Sequence, residues 1–123
     1  MTARVEDLGG VRVLVLDPNG PSLASERDAT DLIGDAIGAE ARWAAVPVAQ
    51  LSDDFLRLGS GLAGAVLQKF VNYGLHIAIV GDIAAKTAAS KPLNDFVGES
   101  NRGRHVWFVE DLAALATKLA ERG

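Results

Sequence analysis

The run His76-Ile77-Ala78-Ile79-Val80, closed by Gly81-Asp82, constrains the fold more than any other stretch. It is short, continuously apolar and bounded by a turn signal, as a strand buried within a sheet is. Such a strand needs helices packed on it, and helical periodicity stands on both sides of it. Upstream, Gly59-Ser60-Gly61 feeds a segment in which Leu62, Val66 and Phe70 recur every fourth residue, with Ala63, Leu67 and Val71 in the adjoining row. One broad face of that helix is apolar; Gly64, Ala65, Gln68, Lys69 and Asn72 fall on the other side, and Gly74 ends it by accepting left-handed geometry. Downstream, a helix with Pro92 near its first turn carries Leu93, Phe96 and Val97 on one face and ends around Arg102-Gly103.

The same alternation runs through the rest of the chain. Val5 and Leu8, a Gly9-Gly10 turn, and the β-branched run Val11–Leu16 predict an opening antiparallel hairpin, followed by a turn over Asp17 to Pro21. Ser25-Glu26-Arg27-Asp28 reads as a capped helix start, after which Ala29, Leu32, Ile33, Ala36 and Ile37 follow helical spacing as far as Gly38. Trp43–Val48 reads as a strand with Pro47 at its end or on an edge. Gln50 to Leu58 is a polar, acidic connection anchored by Phe55 and Leu58, and Ile83–Ala89 is a short helical turn. His105–Val109 is the last strand, and Asp111 caps a final helix that turns Leu112, Leu115, Ala116 and Leu119 inward. One α/β domain over residues 1–123 is expected, in the order β-β-α-β-α-β-α-β-α. Its sheet is mixed and mainly parallel, with about five strands and about four helices.

Composition narrows the function. Hydrophobic residues make up 49% of the 123, enough for a core and unlike a disordered chain. The net charge of -4 carries no basic patch, and Arg102-Gly103-Arg104 is too little to neutralise a phosphate backbone, so nucleic acid is not the expected partner. The absence of cysteine removes disulfides, thiolate catalysis and thiolate zinc sites. Met1 to Asp7 lacks the apolar run of a signal peptide, and no uncharged apolar run reaches membrane-span length, so a soluble cytoplasmic protein without membrane contact is expected.

No reaction centre assembles from the residues. His76 and His105, the two histidines, each lie in a strand with no third ligand at matching spacing, and no metal or cofactor is expected. Gly59-Ser60-Gly61 falls short of a hydrolase elbow because Leu58 and Leu62 occupy the two outer glycine positions. No phosphate-loop or dinucleotide fingerprint is present. An enzyme is not expected.

Binding chemistry is better represented. Ser60 suits an N-cap, and a phosphoryl group there would meet a positive helix end while presenting close to two negative charges outward. Asp53 and Asp54 would add to that charge if they lie near. Asp82 stands just beyond a buried strand, where α/β sheets often carry functional groups, though a turn-stabilising carboxylate needs no function. Arg102 and Arg104, beside Asn101, read either as solvated helix-end cations or as a clamp for an anion or a partner's carboxylate. Gln68, Lys69 and Asn72 make a wet helix face or, with Tyr73, a docking surface. The opening hairpin leaves an edge able to pair with a second copy as a homodimer.

Three stretches carry a likeness to known proteins: Gly61 to Tyr73, Ala78 to Asp82, and Glu99 to Arg104 with Val106–Val109. Together they resemble a bacterial family filed as a domain of unknown function, number 4180, across nearly the whole chain. More loosely, the element order is similar to the STAS domain of anti-sigma-factor antagonists and sulfate-transporter tails. There an Asp-Ser-Ser-Gly-Leu segment follows a central strand and opens a helix. Here Gly59-Ser60-Gly61-Leu62 stands in that place without the acid and with one serine, and Ser60 matches the phosphorylatable serine. The resemblance implies a regulatory domain that binds a protein partner through the Ser60 turn and the helix after it. A second class of function stays open: a sensor that holds a nucleotide, another anion or a small molecule near Ser60, Asp82 and Arg102.

Overall fold

The computed structural model describes residues 3–17, 19 and 23–122. Most of the turn expected over Asp17 to Pro21 lies outside them. Strands β1 (Ala3–Leu8) and β2 (Val11–Leu16) form the opening antiparallel hairpin, in unbroken register from Ala3↔Leu16 to Leu8↔Val11. Gly9 and Gly10 turn it with φ of 60° and 85°, positive values at both central positions of a two-residue loop. Helix α1 (Glu26–Gly38), β3 (Trp43–Pro47), α2 (Asp53–Leu56), α3 (Leu62–Asn72), β4 (His76–Val80), α4 (Ala84–Ala89), α5 (Lys91–Arg102), β5 (Val106–Val109) and α6 (Leu112–Arg122) follow.

The sheet is mixed. Among the described residues its five strands lie in the order β1-β2-β3-β4-β5, with β1 antiparallel and every later pair parallel. Each β-α-β crossover therefore steps one place along the sheet and keeps its main helix, α1, α3 or α5, on the same side. Leu14, Ala44, Val46, Ile77, Ile79 and Phe108 face that side, where they meet Leu32 and Ile33 of α1, Val66 and Phe70 of α3, and Phe96 and Val97 of α5. The opposite side holds Val13, Val15, Trp43, Ala45, Ala78 and Trp107 beneath Leu115 and Leu119 of α6. The alternation of inward residues along each strand is what supplies both faces.

Among the described residues six helices stand where about four were expected. The two additions are short, and the second, α4, is the short helical turn expected over Ile83–Ala89. α2 lies in the acidic connection, where Ser52 Oγ accepts from the Phe55 amide and Phe55 is buried as the expected anchor. α4 follows Ile83 and ends at Ser90, whose hydroxyl caps α5 by accepting from Leu93 N–H. Capping places the main boundaries where the residues indicate: Ser25 Oγ accepts from Asp28 N–H, and Asp111 Oδ1 accepts from Ala114 N–H. At the end of α3, Leu75 N–H reaches Phe70 O and Gly74 N–H reaches Val71 O, the paired bonds of a Schellman stop with Gly74 at φ 69°. Val71, assigned to the apolar row, is 38% exposed because it lies past the edge of the buried stripe.

Candidate functional site

Ser60 closes a 3₁₀ turn (Leu58–Ser60), and Gly61, at φ 79°, takes the N-cap position of α3. This corrects the expectation of Ser60 as the cap residue: a left-handed entry into the helix favours glycine. The serine hydroxyl still serves the helix mouth. Its Oγ accepts from Leu62 N–H at 3.2 Å and donates to the Asp54 carbonyl at 2.6 Å, so one exposed side chain pins α2 to the start of α3. Asp54 is therefore adjacent, and its carboxylate is turned to Arg57 at 3.1 Å.

From that turn the outer side of α3 faces water. Gln68 and Asn72 are exposed and linked, Gln68 Nε2 donating to Asn72 Oδ1 at 2.9 Å, and Tyr73 follows at 61% exposure. Lys69 leans toward Glu26 of α1 at 3.9 Å, so it ties two helices together as well as bordering this face. Ser60 and Gly61 at the mouth of α3 and Gln68, Lys69 and Asn72 along it thus lie on one stretch of chain, with Gly64 and Ala65 between them leaving the surface low.

The remaining candidates lie elsewhere. Asp82 follows β4 at the carboxyl edge of the parallel strands, where its Oδ1 accepts from Ala84 N–H, the local turn bond expected of such a residue. A hollow of about 180 Å³ adjoins it, lined by Asp82, Thr87, Asn94, Phe108 and Glu110. Its two carboxylates suit an anion poorly. Arg102 and Arg104 stand at the opposite edge. The Arg104 carbonyl lies 2.7 Å from His76 Nδ1 at the first residue of β4, while Asp82 lies beyond its last. A five-residue strand spans about 16 Å. Ser60, Asp82 and Arg102 therefore do not converge on one small ligand.

Asn101 has a structural task that sequence reasoning missed. Its Oδ1 accepts from Phe108 N–H at 2.7 Å, occupying a donor on the outer edge of β5, and its carbonyl accepts from Lys118 Nζ at 2.8 Å. The two residues are separated by a turn, so no periodic pattern links them. The aromatic row at the amino edge was also missed. Trp43, His76 and His105 occupy neighbouring positions on β3, β4 and the start of β5, with ring centroids 4.8 and 5.7 Å apart and planes within 17°. Strand starts in equivalent register were its one sequence signal.

Burial holds the pKa of His76 below its ordinary value, aided by the neighbouring His105 and Arg42 charges and partly offset by the Arg104 carbonyl. The fold therefore prefers the neutral ring, whereas the unfolded chain takes up a proton near pH 6.5. Stability from this site is complete above that pH and falls as acidification proceeds toward the lowered folded value. Unfolding free energies measured between about pH 7.5 and 5.5 should decline more steeply for the natural chain than for His76→Gln. Equal slopes would remove His76 as the source.

Among the described residues, no three His, Cys, Asp or Glu side chains come together as metal ligands would, and no helix is long and apolar enough to cross a membrane. Sheet, helices and exposed α3 surface define a single-sheet α/β domain with its polar features on the rim. The chain belongs to the family described as "Domain of unknown function (DUF4180)", whose model matches residues 8–119. No curated protein and no solved structure matches it.

Proposed function

We propose that this domain is a non-enzymatic regulatory module of STAS-like, anti-sigma-factor-antagonist-like architecture, working in the cytoplasm. It docks a protein partner through the Ser60 turn and the outer side of α3. The observation that carries this reading is the exposed Ser60 hydroxyl held between the Asp54 carbonyl and the first amide of α3. The succession of main elements and the place of Gly59-Ser60-Gly61-Leu62 ahead of α3 support the STAS likeness.

Phosphorylation is the switch this position suits. Transfer of the γ-phosphoryl group of a nucleoside triphosphate to Ser60 Oγ forms a P–O bond, releases the nucleoside diphosphate and sends the hydroxyl proton to solvent. The bond to the Asp54 carbonyl is thereby lost while close to two negative charges arrive. The positive end of α3 tolerates that charge, and a partner seated on Gln68, Asn72 and Tyr73 would meet it at the rim. Stability should change little: Ser60→Ala and Ser60→Asp each forfeit bonds from one exposed hydroxyl, about 1 kcal/mol. Partner capture should separate them, with Ser60→Asp retaining much less than Ser60→Ala. Equal capture by the two variants at equal stability would defeat the proposal.

A further inference from the structure

The two edges of the sheet are finished differently. On β5 the Asn101 side chain occupies the Phe108 amide, as a covered edge requires. On β1 no strand or side chain among the described residues takes the outward backbone groups. Its register with β2 is unbroken over all six residues, so no bulge twists it away, and it contains no proline.

The hairpin identifies which groups point outward. A two-residue turn makes Leu8 and Val11 a hydrogen-bonded pair, and the alternation of an antiparallel ladder repeats this at Glu6↔Val13 and Arg4↔Val15. The N–H and C=O groups of Ala3, Val5 and Asp7 are thereby directed away from β2. Arg4 and Glu6 place their side chains on the same face, where they already form an ion pair. Val5 points to the other face and is 46% exposed.

A second copy pairing antiparallel about a two-fold axis must match outward groups with outward groups. Centring the axis on Arg4, Glu6 or Asp7 sets that charged residue directly against itself. Centring it on Val5 sets Arg4 against Glu6 of the second copy and Glu6 against its Arg4, in the closer, non-hydrogen-bonded positions of the ladder. The same register lets Val5 exchange both backbone hydrogen bonds with Val5, and Ala3 with Asp7. It also covers the exposed valine with its own counterpart. Among these registers, only this one is attractive in charge, and it has the longest overlap within Ala3–Asp7.

We infer that the chain forms a two-fold dimer by antiparallel β1–β1 pairing registered on Val5, so that one sheet runs through both copies. The occupant is a second copy because the strand complements itself: its two opposite charges are spaced symmetrically about the residue whose backbone faces out.

Sedimentation velocity over a wide concentration range tests this on the full chain, with far-ultraviolet circular dichroism as the check on folding. The natural chain should shift from monomer to dimer as concentration rises. Val5→Pro removes an outward N–H while leaving the bonds to β2 in place, and should be monomeric throughout. Glu6→Arg alone and Arg4→Glu alone each give a strand with like charges in the paired positions, and each should stay monomeric. An equimolar mixture of those two folded variants should recover a dimer containing one chain of each, because a doubly basic strand then faces a doubly acidic one. A natural chain that stays monomeric, a dimer that survives Val5→Pro, or a mixture of folded variants that fails to associate would each overturn the inference. Its failure would leave the Ser60 reading intact, since β1 takes no part in that surface.

Discussion

Trp107→Ala is expected to lower the stability of the fold by about 4 kcal/mol, the largest effect of any single truncation considered. The indole is 2% exposed and reaches three separate parts of the structure. Its ring packs on Trp43 of β3 with centroids 4.5 Å apart, its Nε1–H donates to the Gly103 carbonyl at 2.9 Å, and Lys118 Nζ of α6 stands 4.7 Å from the ring centre. Alanine would leave a cavity beneath α6, an unpaired Gly103 carbonyl and a lysine without its aromatic face. Domains of this stability class hold about 5–15 kcal/mol in total, so the loss should be plain in urea unfolding and should lower the melting temperature by more than about 10 °C. Trp107→Phe keeps the packing and loses chiefly the N–H bond, so it should retain most of the stability. If the alanine variant lost under about 1 kcal/mol, α6 would not depend on this anchor.

Gly9→Ala should cost about 3 kcal/mol for a different reason. Gly9 sits at φ 60°, and a Cβ built there would fall 2.4 Å from the Ala116 carbonyl oxygen and 2.8 Å from the Ala120 amide nitrogen, both backbone atoms of α6. Neither can rotate away, so the hairpin and the last helix must move apart. Gly10 provides the internal comparison. Its φ is 85°, yet nothing lies within 4 Å of an added Cβ, so Gly10→Ala should show only the cost of left-handed backbone, about 1 kcal/mol. Thermal unfolding of the two variants side by side separates strain from collision. Equal losses would mean that α6 yields at no cost.

Both predictions concern the face of the sheet covered by α6 alone, where the sequence spoke least clearly. The other face was legible because its helical signals are periodic and local, as with Leu62, Val66 and Phe70 on α3, while the Gly9-Gly10 turn and the caps at Ser25 and Asp111 were legible as local boundary signals. What escaped were contacts between residues that no period connects. The reach of Asn101 to Phe108 depends on the turn between them, and the close approach of Gly9 to Ala116 joins opposite ends of the chain. Ser60 was read in the right place with a neighbour's role, because serine is the commoner cap and only the left-handed turn reveals why glycine holds that position. The grouping of Ser60 with Arg102 failed on topology: α5 carries the chain from the carboxyl edge to the amino edge before Arg102 is reached.

The affinity of a captured partner for the natural chain, Ser60→Ala and Ser60→Asp, measured by calorimetry under one set of conditions, tests the central claim most directly. Ser60→Asp should weaken binding at least about tenfold, roughly 1.4 kcal/mol, and Ser60→Ala should leave it nearly unchanged. Indistinguishable affinities for all three chains, each folded, would contradict it.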